Sequence, residues 1–156
     1  MASIGAAGGD KLQKALREIA KKAGREMTVQ VGFQDGATYP AEDGANPVYV
    51  AQVAFWNEYG TTRTPSRPFF RTMIAQKSAK WGDNVARVLK ANNYDVARTL
   101  DITGEKIIEQ LQDSIINGGW QGNAESTIAI KGFDKPLVHD AIMLRGITSV
   151  IIEGDE

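Results

Sequence analysis

The chain has 156 residues, 42% of them apolar and 24% charged, with a formal net charge of −1. That balance predicts one ordinary globular domain and excludes a disordered, collagenous or membrane chain. Cysteine is absent, so disulfides, thiolate nucleophiles and Cys-based zinc or iron–sulfur sites are excluded as well. Charge is spread unevenly. Lys11 to Glu26 carries six basic residues against two acidic, and Arg63 to Lys90 seven against Asp83 alone. Such asymmetry suits oppositely charged surfaces meeting between copies.

Residues 1 to 9 are small and Gly-rich, a flexible arm ahead of a single domain over 10 to 156. The opening MASIGAAGGD has no basic flank and no long apolar run, so neither a signal peptide nor a membrane span is expected. Asp10 reads as an N-cap, with Leu12, Ala15, Leu16, Ile19, Ala20 and Ala23 at helical spacing and Gly24 as a stop. Met27, Val29, Val31 and Phe33 then alternate with polar or small residues, the mark of a half-buried strand. Gln34 to Ala45 reads as a loop or irregular hairpin tip. Asn46-Pro47 is the expected start of a second helix that ends at Gly60.

Pro68 opens a long helix whose stripe is Phe70, Ile74, Trp81, Val85 and Val88 or Leu89, with a kink or close contact expected at Gly82. After Asn92-Asn93 a further helix carries Val96, Leu100, Gly104, Ile107 or Ile108, Leu111 and Ile115, and stops at Asn117-Gly118-Gly119. Residues 126 to 131 allow one helical turn. Met143 to Glu153 is rich in Ile and Val, a closing strand paired with the first. The expected fold is α+β: a small antiparallel sheet packed against two long helices, with an N-terminal amphipathic helix.

No residue pattern predicts catalysis, and no cofactor is expected. The single histidine, His139, lies beside Asp140, and in an extended strand the two would point to opposite sides; a satisfied surface or interface histidine is preferred over a catalytic one. Glu105 and Glu109 share a helix face without further oxygen ligands, so no metal is assigned. The basic first helix lacks interleaved aromatics, which favours a solvated face over a nucleic-acid surface.

One segment is unlike ordinary core. Asn57 to Arg71 reads NEYGTTRTPSRPFFR, with two prolines, three arginines and the adjacent rings Phe69 and Phe70, of which one helix face buries only one. It fits a rigid helix–loop–helix joint in which Arg meets carboxylates such as Glu58, and it fits a docking loop equally.

Glu58, Tyr59, Gly60, Thr61, Pro65, Arg67, Pro68, Phe69, Phe70 and Arg71 resemble the signature of the tailed-bacteriophage tail-completion and neck proteins known as the HK97 gp10-like family. Downstream, Gly104, Ile107, Ile108 and Ile115, then Asn123, Ser126, Thr127, Ile128, Lys131 and Gly132, and Lys135-Pro136-Leu137-Val138 are similar to that family's second half. His139-Asp140-Ala141 and Gly146-Ile147 stand where the family carries Asp-Thr-Gly and a Ser-Ile pair, which implies a reshaped final loop. The resemblance implies a structural virion protein, made in the host cytoplasm, in a ring, expected to be hexameric, at the head–tail junction. Its neighbours would be head-completion or neck proteins and tail-tube proteins, with at most incidental contact to DNA in the lumen and none to a membrane. Glu58, Tyr59, Arg63, Arg67, Phe69, Phe70, Arg71, Trp120 and His139 are the expected interface residues, with Phe69 or Phe70 as anchor and Arg67 and Arg71 pairing with acidic groups; Trp120, in a polar Gly-rich loop, fits either core or an exposed interface anchor. The alternative is a nucleic-acid-binding or regulatory module using the basic first helix and the Arg-rich loop.

Overall fold

A computed structural model describes residues 9–24, 26–41, 44–125, 128, 129, 132, 137 and 141–154. In chain order the elements are α1 (Gly9–Ala23), β1 (Met27–Phe33), α2 (Val50–Tyr59), α3 (Phe69–Lys77), a 3-10 turn (Ser78–Lys80), α4 (Trp81–Ala91), α5 (Val96–Asn117), α6 (Ile142–Arg145) and β2 (Ile147–Glu153). The fold is α+β. β1 and β2 form a two-stranded antiparallel sheet with Val29 opposite Ile151 and Phe33 opposite Ile147. One face of this ribbon lies on α5, and α3 and α4 pack against α5 as well.

α5 is the spine because its sequence lets neighbours approach on more than one side. Asp95 caps it by accepting the backbone N–H of Arg98 at 3.0 Å. Leu111 and Ile115 enter the core with Val50, Ala54, Phe69, Met73, Met143 and Ile147. Gly104 is buried beneath the sheet, where an added Cβ would stand 2.8 Å from the Ser149 Cβ and 3.1 Å from Val29 Cγ2. A larger residue there would hold the ribbon off the helix. Further along, the Ser114 hydroxyl donates to the Phe69 carbonyl at 2.8 Å, and the Trp81 indole donates to Gln110 Oε1 at 2.9 Å. Phe69 meets Phe33 edge-on with ring centroids 6.3 Å apart, so α3 and the sheet share one core.

Several boundaries differ from the sequence expectation. The second helix begins at Val50 rather than at Asn46-Pro47. Tyr49, just before it, is held extended, because Tyr39 N–H donates to the Val48 carbonyl and Val50 N–H to the Ala37 carbonyl, both at 2.8 Å. Gly60 does end it, at φ 79. The break in the third helix falls at Ser78–Lys80 instead of Gly82, which lies inside α4 with open space around it. The tighter turn shifts the helix phase, so Phe69 and Met73 are buried while Phe70 is half-buried and Ile74 exposed. The last strand starts at Ile147, since Met143 belongs to α6. Of the expected turn over 126 to 131, Ile128 and Ala129 are helical, and residues 126, 127, 130 and 131 lie outside the described set. The apolar stripe of α1 does not join the core: Leu12 is 63% and Leu16 56% exposed.

Candidate functional site: the α2–α3 joint and its aromatic face

The segment from Asn57 to Arg71 is a joint built around one carboxylate. Glu58 is only 6% exposed. Its Oε2 accepts the backbone N–H of Phe70 at 2.9 Å, and its Oε1 accepts the backbone N–H of Arg71 at 3.1 Å and Arg71 Nε at 2.8 Å. The first amides of α3 have no partner within their own helix, so this acidic side chain from α2 caps α3 from outside. The Glu58 carbonyl accepts the Ser66 hydroxyl at 2.8 Å and Arg71 Nη2 at 3.1 Å. Between them the loop closes on itself, with Thr61 N–H donating to the Thr64 carbonyl at 2.8 Å and the Thr61 hydroxyl accepting Thr64 N–H at 3.0 Å. Gly60 fits the turn because a Cβ there would lie 2.9 Å from Ser66 N.

Arg67 braces the loop from behind. It is 5% exposed, donating through Nε to the Gln121 carbonyl at 2.9 Å, through Nη1 to Asn57 Oδ1 at 3.0 Å and through Nη2 to the Gly122 carbonyl at 3.1 Å. The fork of a guanidinium suits such a divergent set of acceptors. The expectation that Arg67 and Phe69 face a neighbouring subunit is therefore corrected. Arg67 is committed to the 121–123 loop, and Phe69 is 1% exposed in the core. Trp120 is half-buried: its indole lies over Gly118, packs on the core and donates to the Ser114 carbonyl at 2.7 Å. Phe70 is half-buried against the same core. His139 lies outside the described residues.

Three of the expected residues do reach the surface, and Phe55, which was not nominated, joins two of them. Tyr59, Arg63 and Arg71 are exposed. The Phe55 and Tyr59 rings pack at 4.7 Å between centroids, and the Arg71 guanidinium lies 4.8 Å over the Tyr59 ring. Tyr49 and Trp56 are exposed on the same helix or at its start, and Phe55 is 60% exposed. The signal for this face was in the sequence. VAQVAFWNEY spreads its apolar residues around the helix, with Gln52, Asn57 and Glu58 between them and no single polar face, so more apolar side chains are present than one buried stripe requires. Beside the joint is a cleft of ≈ 590 Å³ lined by Tyr39, Trp56, Arg63, Pro65, Arg67 and Leu137 among others. Its described lining carries no carboxylate, histidine or thiol. Among the described residues, no group of three or more His, Cys, Asp or Glu is placed to hold a metal, and no helix is long and apolar enough to cross a membrane.

The fold and joint thus define a small α+β domain that holds an aromatic and arginine-bearing face rigidly at its surface. Comparison with protein-family models, with curated proteins and with solved structures finds no match.

Proposed function

We propose that the chain is a structural assembly protein that forms a ring, in keeping with the neck and tail-completion proteins of tailed phages that its Glu58–Arg71 segment resembles. The observation that carries the reading is the exposed cluster of Phe55, Tyr59 and Arg71 on a joint fixed by Glu58 and Arg67. Aromatic and arginine side chains dominate the energetics of protein interfaces, and a patch already ordered before docking loses little conformational entropy on binding. The ring's neighbours would be neck or head-completion proteins on one side and tail-tube proteins on the other.

Phe55→Glu with Tyr59→Glu tests the reading. Phe55 and Tyr59 are 60% and 55% exposed, so the fold should hold, with loss of the ring pair and of the Arg71 contact costing about 1–2 kcal/mol. Native mass spectrometry and negative-stain images are expected to show rings for the unaltered chain and smaller species for the variant. Rings of normal size from the variant would remove this face from the assembly. A monomer that binds DNA with a steep salt dependence would instead support the nucleic-acid reading, for which the exposed basic side of α1 is the available surface.

A further inference from the structure

Two apolar faces outside the joint have no partner among the described residues. On α1, Leu12 and Leu16 lie on one stripe and are more than half exposed. On the sheet, the face turned away from α5 presents Val150, 54% exposed, and Ile152, 44% exposed, across from Gln30 and Thr28. The helix does not cover its own sheet. Its second half instead borders a hollow with Asp95, Val96 and Ala97 at the start of α5.

The two faces match in size and charge. The 15 residues of α1 span about 22 Å at the helical rise. The seven residues of each strand span about 23 Å, and a two-stranded ribbon is about as wide as one helix. The helix bears Lys11, Lys14, Arg17, Lys21 and Lys22 against Asp10 and Glu18. Neither strand contains Lys or Arg, and Glu26 and Glu153 flank one end of the ribbon. A basic amphipathic helix laid along that ribbon buries both apolar stripes, and its net positive charge is opposite in sign to that at the ribbon's Glu26–Glu153 end.

We propose that α1 is a docking arm for a second copy of this chain, packing Leu12 and Leu16 lengthwise on the outer face of that copy's β1–β2 ribbon over Val150 and Ile152. The inference rests on the reading of the protein as self-assembling. Arm and receptor are different surfaces, so the contact is head-to-tail and closes into a ring when the rotation per subunit permits.

A chain without cysteine makes the test clean. Leu16→Cys chains mixed with Val150→Cys chains, then oxidised while assembled, are expected to yield a disulfide-linked pair, and Leu16→Cys with Gln52→Cys is expected not to. Leu12→Asp with Leu16→Asp should weaken self-association by about 100-fold while leaving the melting transition in place. Rings that form without the cross-link would overturn this arm and leave the ring reading standing. Closure within single dilute chains carrying both cysteines would overturn it in favour of packing within one subunit. A chain monomeric at every concentration would overturn both readings.

Discussion

Replacing Glu58 by Ala removes the group on which the α2–α3 joint is built, and its cost can be worked from the contacts. The carboxylate accepts two backbone amides at the start of α3 and one guanidinium nitrogen. Loss of a helix cap costs about 1 kcal/mol, and each hydrogen bond to a buried charge carries about 1.5–3 kcal/mol. The Arg71 ion pair adds little, because that side chain is 55% exposed and such pairs are worth at most about 1 kcal/mol. The cap and the two amide bonds are one interaction, so taking those bonds at the low end gives a loss of roughly 3 kcal/mol, equivalent to a fall of about 6–12 °C in Tm for a domain of this size. Arg71→Ala should cost only about 1 kcal/mol, since it forfeits the screened pair and the contact over Tyr59. Glu58→Gln should fall between the two, as one amide oxygen survives and an NH2 group then confronts a backbone donor. Urea unfolding of the three variants measures the order. If Arg71→Ala destabilised as much as Glu58→Ala, the joint would be held by the ion pair and the capping argument would be wrong.

Glycine substitutions should split by sign: Gly104→Ala loses roughly 1–2 kcal/mol to collision with Ser149 and Val29, whereas Gly82→Ala, with open space at its Cβ, gains about 0.5–1 kcal/mol. Thermal unfolding of the pair checks both. Gly60→Ala is expected to lose about 1–3 kcal/mol, because φ 79 and the 2.9 Å approach to Ser66 N are closed to a Cβ. Arg67→Ala should lose about 2–4 kcal/mol by stranding the carbonyls of Gln121 and Gly122, and limited proteolysis should cut the 118–124 loop faster. Arg67→Lys should rescue little of this, since a single ammonium cannot reach three divergent acceptors.

Periodicity and composition made α5, the two strands and the Gly60 stop legible, because each depends on local features that a sequence displays directly. The extended start before α2 was hidden, since the bonds joining residues 37–39 to 48–50 outcompete the Asn46-Pro47 cap signal. The buried stripe of α3 was misassigned by one residue, Phe70 for Phe69, because a 3-10 turn downstream breaks the single-helix phase on which the reading relied. Within the joint, the composition marked Asn57–Arg71 as special, yet it could not tell inward arginine from outward. Arg67 and Arg71 are four residues apart and differ in fate because Gln121 and Gly122 offer carbonyls to one and Glu58 a carboxylate to the other. That pairing is long-range and invisible to spacing.

Gly104 and Ser114 are ten positions apart on α5, about 15 Å along its axis. The first seats the ribbon and the second ties down the start of α3 through the Phe69 carbonyl. One uninterrupted helix therefore acts as a ruler between the outer surface of the ribbon and the aromatic face of α2. A subunit gripped at both places would present its neighbours with a constant spacing, and lengthening α5 by one residue would alter that spacing by about 1.5 Å and rotate one surface against the other by about 100°.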